Sequence, residues 1–368
     1  MKRTIALILA VLLVMTQFVG CGNTPAQPAG PASNGPGASP SNAPAATPEK
    51  PIVLNVGVLD GWTGFTTKYI VDQGMDIANG LDIEYLVFSS GAPANEAMTS
   101  GDLDCAIIGG GATVPALANL NSKMIMETNN DTVGMSLIAR PNLECNNVKG
   151  AVPNYPDILG NAETVRGLTF ITSAGTLQYY LTLKYLESLG LTENDVNIVS
   201  MDANQGYQAF ELGEGDVLAC SNNYSFSLVN KGNVELASLT SLNCAATAQV
   251  VCSDAAFNNP EKVQALTIYV KLLAEVNDIM NNDTDLAAQS FFDWVKLNGG
   301  SPNMDTCRAI METKPYYGVE ATKTRELGKD FLDNFVEFYI MTNQLEASQK
   351  DTVASNIRTD ILKAAGLK

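Results

Sequence analysis

The chain has 368 residues, a length typical of about two globular domains. Hydrophobic residues make up 46% of it, which is ordinary for a globular protein. The formal net charge of −17 argues against a nucleic-acid partner, because such proteins present a basic surface. The sequence contains no histidine, which excludes Ser-His-Asp and Cys-His catalysis and histidine-ligated metals.

The first 20 residues are predicted to be a signal peptide. Lys2 and Arg3 precede an apolar run, residues 5–15, that is too short to cross a membrane but typical of an export signal. Residues 18–21 (FVGC) resemble the bacterial lipobox, with Phe18 where leucine is usual. We therefore expect Cys21 to be lipidated, the alternative being a secretory peptide with an incidental cysteine.

Residues 21–50 are predicted to form the lipidated cysteine and a disordered tether. After Cys21 the segment consists of Pro, Gly, Ala, Ser, Asn, Thr and Gln, and its only charged residues are Glu49 and Lys50. Such a composition cannot bury enough apolar surface to offset the entropy of ordering. The segment would hold a folded domain away from a membrane.

The remaining sequence alternates between strands and helices. Apolar strands are predicted at 52–58, 81–88, 103–108 and near 124–126, and the pattern restarts with strands at 133–139, 168–171, 196–200, 217–220 and 234–239. A strand at 245–252 would carry the chain back, and only helices follow, at 260–280, 286–297, 304–311, 323–342 and 354–365. Strands separated by helices predict parallel βαβ units. We expect an α/β fold of two lobes, with residues 51–139 in lobe 1, 140–244 in lobe 2 and 245–368 back on lobe 1.

A series of short motifs resembles one family of binding proteins. The motifs include 58–65 (VLDGWTGF), 101–104 (GDLD), 173–181 (SAGTLQYYL) and 215–217 (GDV), in order within residues 52–280. They look like those of extracytoplasmic solute-binding proteins of ABC importers of the nitrate, sulfonate and taurine type. Where that family often has Trp-Glu-Pro after a second-lobe strand, this chain has Ser-Asn-Asn at 221–223.

The resemblance implies a periplasmic-binding-protein-like fold of type II. Each lobe would be a mainly parallel sheet flanked by helices, the lobes would be joined by two hinge strands, and the C-terminal helices would lie on lobe 1. The implied function is capture of a small polar organic solute, such as a sulfonate, taurine, nitrate, a zwitterion or a heterocycle, in the cleft between lobes. The implied partners are an ABC permease and its ATPase. The chain itself is expected to be a monomer, to have no enzymatic activity and to bind no cofactor.

Four strand ends supply the candidate ligand residues, because ligands of α/β sheets gather at the carboxyl ends of strands. They are Asp60, Gly61, Trp62 and Thr63, then Gly110, Gly111 and Thr113, then Ser173, Gly175, Thr176 and Gln178, and finally Ser221, Asn222 and Tyr224. Each group has a purely structural alternative: a tryptophan covering the core, a tight glycine turn, a serine N-cap or an aspartate in a turn.

The candidate stretches contain no lysine or arginine, and Asp60 is a carboxylate. This favours a ligand that carries an amine as well as an acidic group, or a neutral polar ring stacked on Trp62. Glu127 or Asp131 could join Asp60 in pairing with that amine.

Six further cysteines leave their pairing open. Without a C-x-x-C spacing or a histidine, they do not predict a zinc site. They are Cys105, Cys145, Cys220, Cys244, Cys252 and Cys307. The sequence thus predicts a membrane-anchored extracytoplasmic solute receptor without metal or cofactor. An enzyme, or a sensing or structural surface lipoprotein without a transport role, is the alternative.

Overall fold

The computed structural model of the protein describes residues 50–313 and 315–368. The predicted signal peptide, Cys21 and residues 22–49 of the predicted tether lie outside the described residues. Within the described ranges, every helix is too short or too polar to cross a membrane.

The strands form two sheets of five. They are β1 (Ile52–Leu59), β2 (Leu81–Phe88), β3 (Cys105–Gly109), β4 (Lys123–Asn130), β5 (Met135–Ala139), β6 (Thr169–Thr172), β7 (Asn197–Ser200), β8 (Val217–Ser221), β9 (Val234–Ser238) and β10 (Thr247–Cys252). Lobe 1 contains the sheet ordered β2-β1-β3-β10-β4, and lobe 2 contains the sheet ordered β7-β6-β8-β5-β9.

The two sheets share one topology. In lobe 1, β10 runs antiparallel to both its neighbours, whereas β1 pairs in parallel with β2 and β3. In lobe 2, β5 is the antiparallel strand. In each sheet the antiparallel strand is the first strand after the chain crosses from the other lobe. The chain crosses through residues 131–134 to reach β5 and through residues 239–246 to reach β10. The expectation of two lobes, each a mainly parallel sheet flanked by helices, is therefore confirmed. The expected hinge strands are not: residues 131–134 contain a short 3-10 turn, and residues 239–246 contain no strand.

Helices flank both sheets. They are α1 (Phe65–Asp72), α2 (Met75–Ala78), α3 (Gly91–Ser100), α4 (Gly110–Asn119), α5 (Ala162–Val165), α6 (Leu177–Ser188), α7 (Ala203–Glu211), α8 (Asn222–Asn230), α9 (Asp254–Phe257), α10 (Pro260–Asn282), α11 (Thr284–Leu297), α12 (Met304–Glu312), α13 (Val319–Thr324), α14 (Lys329–Phe331), α15 (Glu337–Met341), α16 (Lys350–Ser355) and α17 (Asp360–Ala364).

The longest of these helices, α10, begins as the sequence predicts. Pro260 occupies its first turn, and the Asn259 side chain caps the free backbone N–H groups of Glu261 and Lys262. The helix buries its apolar face in the core of lobe 1, where Tyr269 is fully buried.

The predicted helix at 323–342 is broken in the structure. Gly328 adopts a left-handed backbone (φ 78°), and a single π-helical turn, Leu332–Val336, separates α14 from α15. The ring of Phe335 lies 4.1 Å from that of Tyr180 in α6. This C-terminal segment therefore reaches lobe 2 as well as lobe 1, a contact that helical periodicity alone does not reveal.

The predicted helix at 354–365 is also divided, into α16 and α17. Between them the backbone bonds to β4: Met124 donates to the Asn356 carbonyl, and Arg358 donates to the Met124 carbonyl. These hydrogen bonds require an extended segment, which ends the helix.

Candidate ligand site between the lobes

A small cavity lies where the strand ends of lobe 1 meet lobe 2. We call it the interlobe cavity. Its lining residues are Leu59, Asp60, Gly61, Trp62, Thr63, Ser89, Ser90, Gly91, Gly109, Ala112, Asp131 and Met135, with Thr176, Leu177, Gln178 and Ser221. The space that a water-sized group can occupy is about 30 Å³, which is room for about two waters. The lobes therefore lie close together around this cavity.

Half of the predicted ligand residues line this cavity. Those that do are Asp60, Gly61, Trp62, Thr63, Thr176, Gln178 and Ser221. Those outside the lining are Gly110, Gly111, Thr113, Ser173, Gly175 and Tyr224. The four strand ends thus meet around one cavity, while neighbouring residues of the same stretches make other contacts.

The glycines that begin α4 serve lobe packing. A Cβ on Gly111 would lie 2.3 Å from the backbone carbonyl of Thr176, and one on Gly110 would lie 2.6 Å from the Phe335 ring. Gly109, just before them, is the glycine that reaches the cavity. Thr113 is buried and donates to the side-chain oxygen of Gln249 at 2.8 Å. Gly110, Gly111 and Thr113 therefore belong to the lobe contact and its core.

The start of α6 differs from the expected geometry. Thr176, rather than Ser173, is the N-cap residue, and its side chain makes no capping hydrogen bond. Its hydroxyl lies 2.5 Å from the Ser173 carbonyl and 2.7 Å from the side-chain oxygen of Gln178. Gly175 allows this turn through its left-handed backbone (φ 67°). Ser173 and Gly175 thus shape the turn that presents Thr176 and Gln178 to the cavity.

The end of β8 places its residues at the lobe contact. Ser221 lines the cavity, and Asn222 is the first residue of α8. Tyr224 lies one residue further into the helix and donates a 3.0 Å hydrogen bond to Asp60 of lobe 1. Its ring stacks on Tyr207 with a centroid distance of 4.6 Å.

Trp62 combines the two roles that the sequence left open. It lines the cavity but is only 2% exposed. Tyr316 donates to its backbone carbonyl at 2.7 Å, and the two rings lie 5.7 Å apart. The neighbouring Gly61 carbonyl accepts a 3.0 Å bond from the indole of Trp294. The tryptophan is therefore a fixed wall of the cavity, anchored in the core of lobe 1.

Two carboxylates line the cavity, Asp60 and Asp131. Asp131 follows β4 at the first crossing between lobes, where the Trp62 side chain is near enough to favour its ionised form. Burial raises the pKa of Asp131 to about 7, an effect that the Trp62 side chain partly offsets. Asp131 is thus the second carboxylate that the sequence offered as a partner of Asp60.

Glu127, the other carboxylate considered, lies elsewhere. It accepts a 3.1 Å hydrogen bond from Thr247, and its other oxygen lies 3.6 Å from Arg325. Burial raises its pKa, and the nearby Arg325 opposes that rise. The hypothesis that Glu127 contributes to the ligand site is not supported by this position.

Two buried hydroxyls in the lining lack partners. Thr63 is 5% exposed and Ser90 is 2% exposed, and among the described residues neither side-chain oxygen has a hydrogen-bond partner. Buried polar atoms are normally satisfied, so two open positions in one cavity indicate where polar groups of a ligand would bind. Sequence reasoning included Thr63 but missed Ser90, although Ser90 also follows the end of a strand, β2.

A second hydroxyl at the end of β2 joins the lobes. Ser89 donates to the carboxylate of Asp202, at 2.7 Å and 2.8 Å from its two oxygens. Asp202 also caps α7 through the backbone of Asn204. Both are positions that the sequence did not single out, because a contact between lobes leaves no local signal.

The six cysteines of the described residues are buried free thiols. Cys105 of β3 and Cys252 of β10 face each other in register on neighbouring strands. Burial raises the pKa of each of these two thiols. They therefore pack as small hydrophobic side chains in the core of lobe 1.

The fold defines the class of structure: two lobes, each a five-stranded sheet flanked by helices, with a cavity between them. Solved structures with this fold include the alkanesulfonate-binding protein SsuA from Xanthomonas axonopodis pv. citri bound to MOPS. It is 14% identical, covers 84% of this chain and 99% of its own, and has a TM-score of 0.64. The periplasmic nitrate-binding protein NrtA from Synechocystis PCC 6803 is 13% identical, with coverages of 86% and 89% and a TM-score of 0.66.

The family is shown by the sequence itself. The NMT1-like family matches residues 54–290, and the chain belongs to it. A curated relative from Brachyspira hyodysenteriae, provisionally named an ABC transporter periplasmic binding protein, is 26% identical over 367 residues, 99% of each chain. These relatives are described as binding proteins, in agreement with the expectation that the chain is not an enzyme. The recognition made from the motifs is thereby confirmed.

Proposed function

We propose that this chain is the solute-binding component of an ABC importer, which captures a small polar organic solute in the interlobe cavity and delivers it to a membrane permease and its ATPase. The observation that carries the proposal is the pair of unpartnered buried hydroxyls, Thr63 and Ser90, in a cavity between two lobes. The printed names of the relatives, an ABC transporter periplasmic binding protein and binding proteins for alkanesulfonate and nitrate, support the same class.

The mechanism in this proposal is closure of the lobes on the solute. Contacts that join the lobes, such as Tyr224 with Asp60 and Ser89 with Asp202, exist in the closed form and would break as the lobes part. Hinge motion of this kind needs few flexible residues, and the crossings at 131–134 and 239–246 are candidates for them. Closure would bury the solute and create the surface that the permease recognises.

The test is a thermal-shift screen of the purified chain with sulfonates, nitrate, taurine, amino acids, amines and heterocycles. A solute at 100 times its Kd should add about 2.7 kcal/mol to the free energy of unfolding. Solute uptake by cells with and without the gene then separates transport from sensing. Binding without loss of uptake would favour a sensing or structural lipoprotein, and the absence of any ligand would contradict a solute receptor.

We also propose that the chain is anchored outside the cytoplasm through a lipid on Cys21. The proposal rests on the lipobox-like residues 18–21, the export signal at 1–20 and the tether to residue 50. Mass spectrometry of the N-terminus after expression in bacteria tests it, with Cys21→Ser as the control variant. An unmodified cysteine in the membrane fraction would contradict the anchor. The monomeric state is also part of this proposal. Of the expected domain limits, 51–139, 140–244 and 245–368, the first needs correction, because residues 135–139 form β5 in the sheet of lobe 2.

A further inference from the structure

We propose that the interlobe cavity binds its solute through a primary ammonium group, so that the solute is a cation or a zwitterion rather than a simple anion. This inference rests on the proposed function, whose ligand class it narrows. It is carried by the charges and hydrogen-bonding groups of the lining.

The charged side chains of the lining are both acidic. They are Asp60 and Asp131, and no lysine or arginine of the described residues lines the cavity. In a buried site the interaction between charges is stronger than in water, because the effective dielectric constant is lower. An anion placed beside these carboxylates would lose its hydration without gaining a cationic partner, whereas an ammonium would be paired.

The unpartnered hydroxyls suit the same group. Thr63 and Ser90 can each accept a hydrogen bond, and the two carboxylates are acceptors as well. An ammonium carries three donors and no acceptor, so it can bond to acceptors of several kinds at once. A quaternary ammonium has no N–H and would leave both hydroxyls unsatisfied. The site therefore favours a primary amine over a fully methylated one.

The size of the closed cavity fits a head group. Space for about two waters accommodates an ammonium and its first carbon, with Leu59, Met135 and Leu177 as apolar contacts for that carbon. The remainder of a longer solute would lie toward the mouth of the cleft.

Titration of Asp131 links this binding to pH. The groups that face it are the Trp62 indole, Asp60 across the cavity, and the phenols of Tyr316 and Tyr317. Burial raises the pKa of both phenols above the usual value, so the tyrosines stay neutral. A bound ammonium favours the ionised form of Asp131, and amine affinity should rise as pH increases through about 7.

The experiment is calorimetric titration of the purified chain with n-propylamine, tetramethylammonium, taurine and ethanesulfonate. We expect n-propylamine and taurine to bind at millimolar concentration, and tetramethylammonium and ethanesulfonate to bind at least about tenfold more weakly. Asp60→Asn and Asp131→Asn should each weaken propylamine binding by about tenfold or more, since each removes a charged partner of the ammonium. Asp72→Asn, an exposed aspartate paired with Lys68 on α1, is the matched control and should change nothing.

Other outcomes overturn the inference. Ethanesulfonate binding more tightly than propylamine, or propylamine binding equally to the wild type and both variants, would exclude ammonium recognition while leaving a solute receptor. Failure of both amines to bind at millimolar concentration would also exclude it. A different result would contradict the proposed function itself: no solute of any charge binds, and solute uptake does not depend on the gene. If a variant does not fold, the ligand comparison in the wild type decides: ethanesulfonate or tetramethylammonium binding as tightly as propylamine contradicts the proposal.

Discussion

The phenol of Tyr224 in lobe 2 donates a 3.0 Å hydrogen bond to the carboxylate of Asp60 in lobe 1, a contact between residues 164 positions apart. Both side chains are buried. Burial, together with the Asp60 carboxylate, raises the pKa of the Tyr224 phenol, so the hydroxyl stays protonated and available as a donor. A residue of the candidate site is thus also part of the closed interface between lobes.

Tyr224→Phe should favour opening of the lobes. The variant keeps the ring that stacks on Tyr207 but removes the hydroxyl that reaches Asp60. A hydrogen bond to a charged group contributes about 1.5–3 kcal/mol, so closure should weaken by a similar amount. Small-angle X-ray scattering should show a larger radius of gyration, and solute affinity should fall.

The control for this variant is Tyr207→Phe. Its hydroxyl lies 3.2 Å from that of Ser227, and both residues belong to lobe 2. Removing it should leave the radius of gyration unchanged. Equal scattering from both variants would show that the bond between Tyr224 and Asp60 does not hold the lobes together.

Gly111→Ala should separate the lobes by steric overlap. The new methyl would lie 2.3 Å from the Thr176 carbonyl, and the two residues begin helices in different lobes. Backbone cannot yield as a flexible side chain does, so the closed form should be lost and solute affinity reduced. Scattering and calorimetric titration measure the two effects.

Gly91→Ala is the matched comparison. Its methyl would lie 2.4 Å from the Ala112 side chain, so the crowding is similar but falls within lobe 1. Overpacking of this kind costs about 1–3 kcal/mol of stability, which urea unfolding measures. An increase in radius for Gly91→Ala, or none for Gly111→Ala, would contradict the assignment of Gly111 to the lobe contact.

The sequence predicts the fold better than the site because the two are encoded differently. Strands such as β1 and β3 are local apolar runs, and their parallel pairing follows from the βαβ pattern. Strand ends therefore point to Asp60 and Thr63, which both line the interlobe cavity. The partners that define the cavity come from distant segments: Ser89 meets Asp202, and Gly110 meets Phe335. Contacts between lobes carry no periodicity, so Ser90 and the packing role of the glycines were missed.

Phe335→Ala should destabilise both lobes together. The Phe335 ring is fully buried, lies 4.1 Å from that of Tyr180 in lobe 2 and packs against Gly110 in lobe 1. Truncation of a buried phenylalanine costs about 3–5 kcal/mol. Urea unfolding should show that loss, while the partly buried Phe292 of α11, truncated in the same way, should lose less. A loss no larger than that of Phe292→Ala would contradict a central packing role for Phe335.

Asp131 should make the protein less stable as pH rises. Burial raises its pKa from the ordinary 3.8 to about 7, so between these values the folded chain holds a proton that the unfolded chain has released. The contribution of Asp131 to the free energy of unfolding therefore falls as pH increases across this interval. Above about pH 7 that contribution no longer changes with pH. At about 1.4 kcal/mol per pKa unit, the fall in the free energy of unfolding caused by Asp131 is of the order of 4 kcal/mol.

Asp131→Asn isolates this effect from that of Glu127 and Glu235, whose pKa values burial also raises. The amide keeps an oxygen beside Trp62 but cannot ionise. We expect the variant to unfold at higher urea concentration than the wild type above pH 7, with the difference shrinking as pH falls toward 3.8. Exposed Asp72→Asn should show no such trend. A difference that is independent of pH would mean that Asp131 titrates alike in the folded and unfolded chain, which would remove the physical basis for a pH-dependent ligand site.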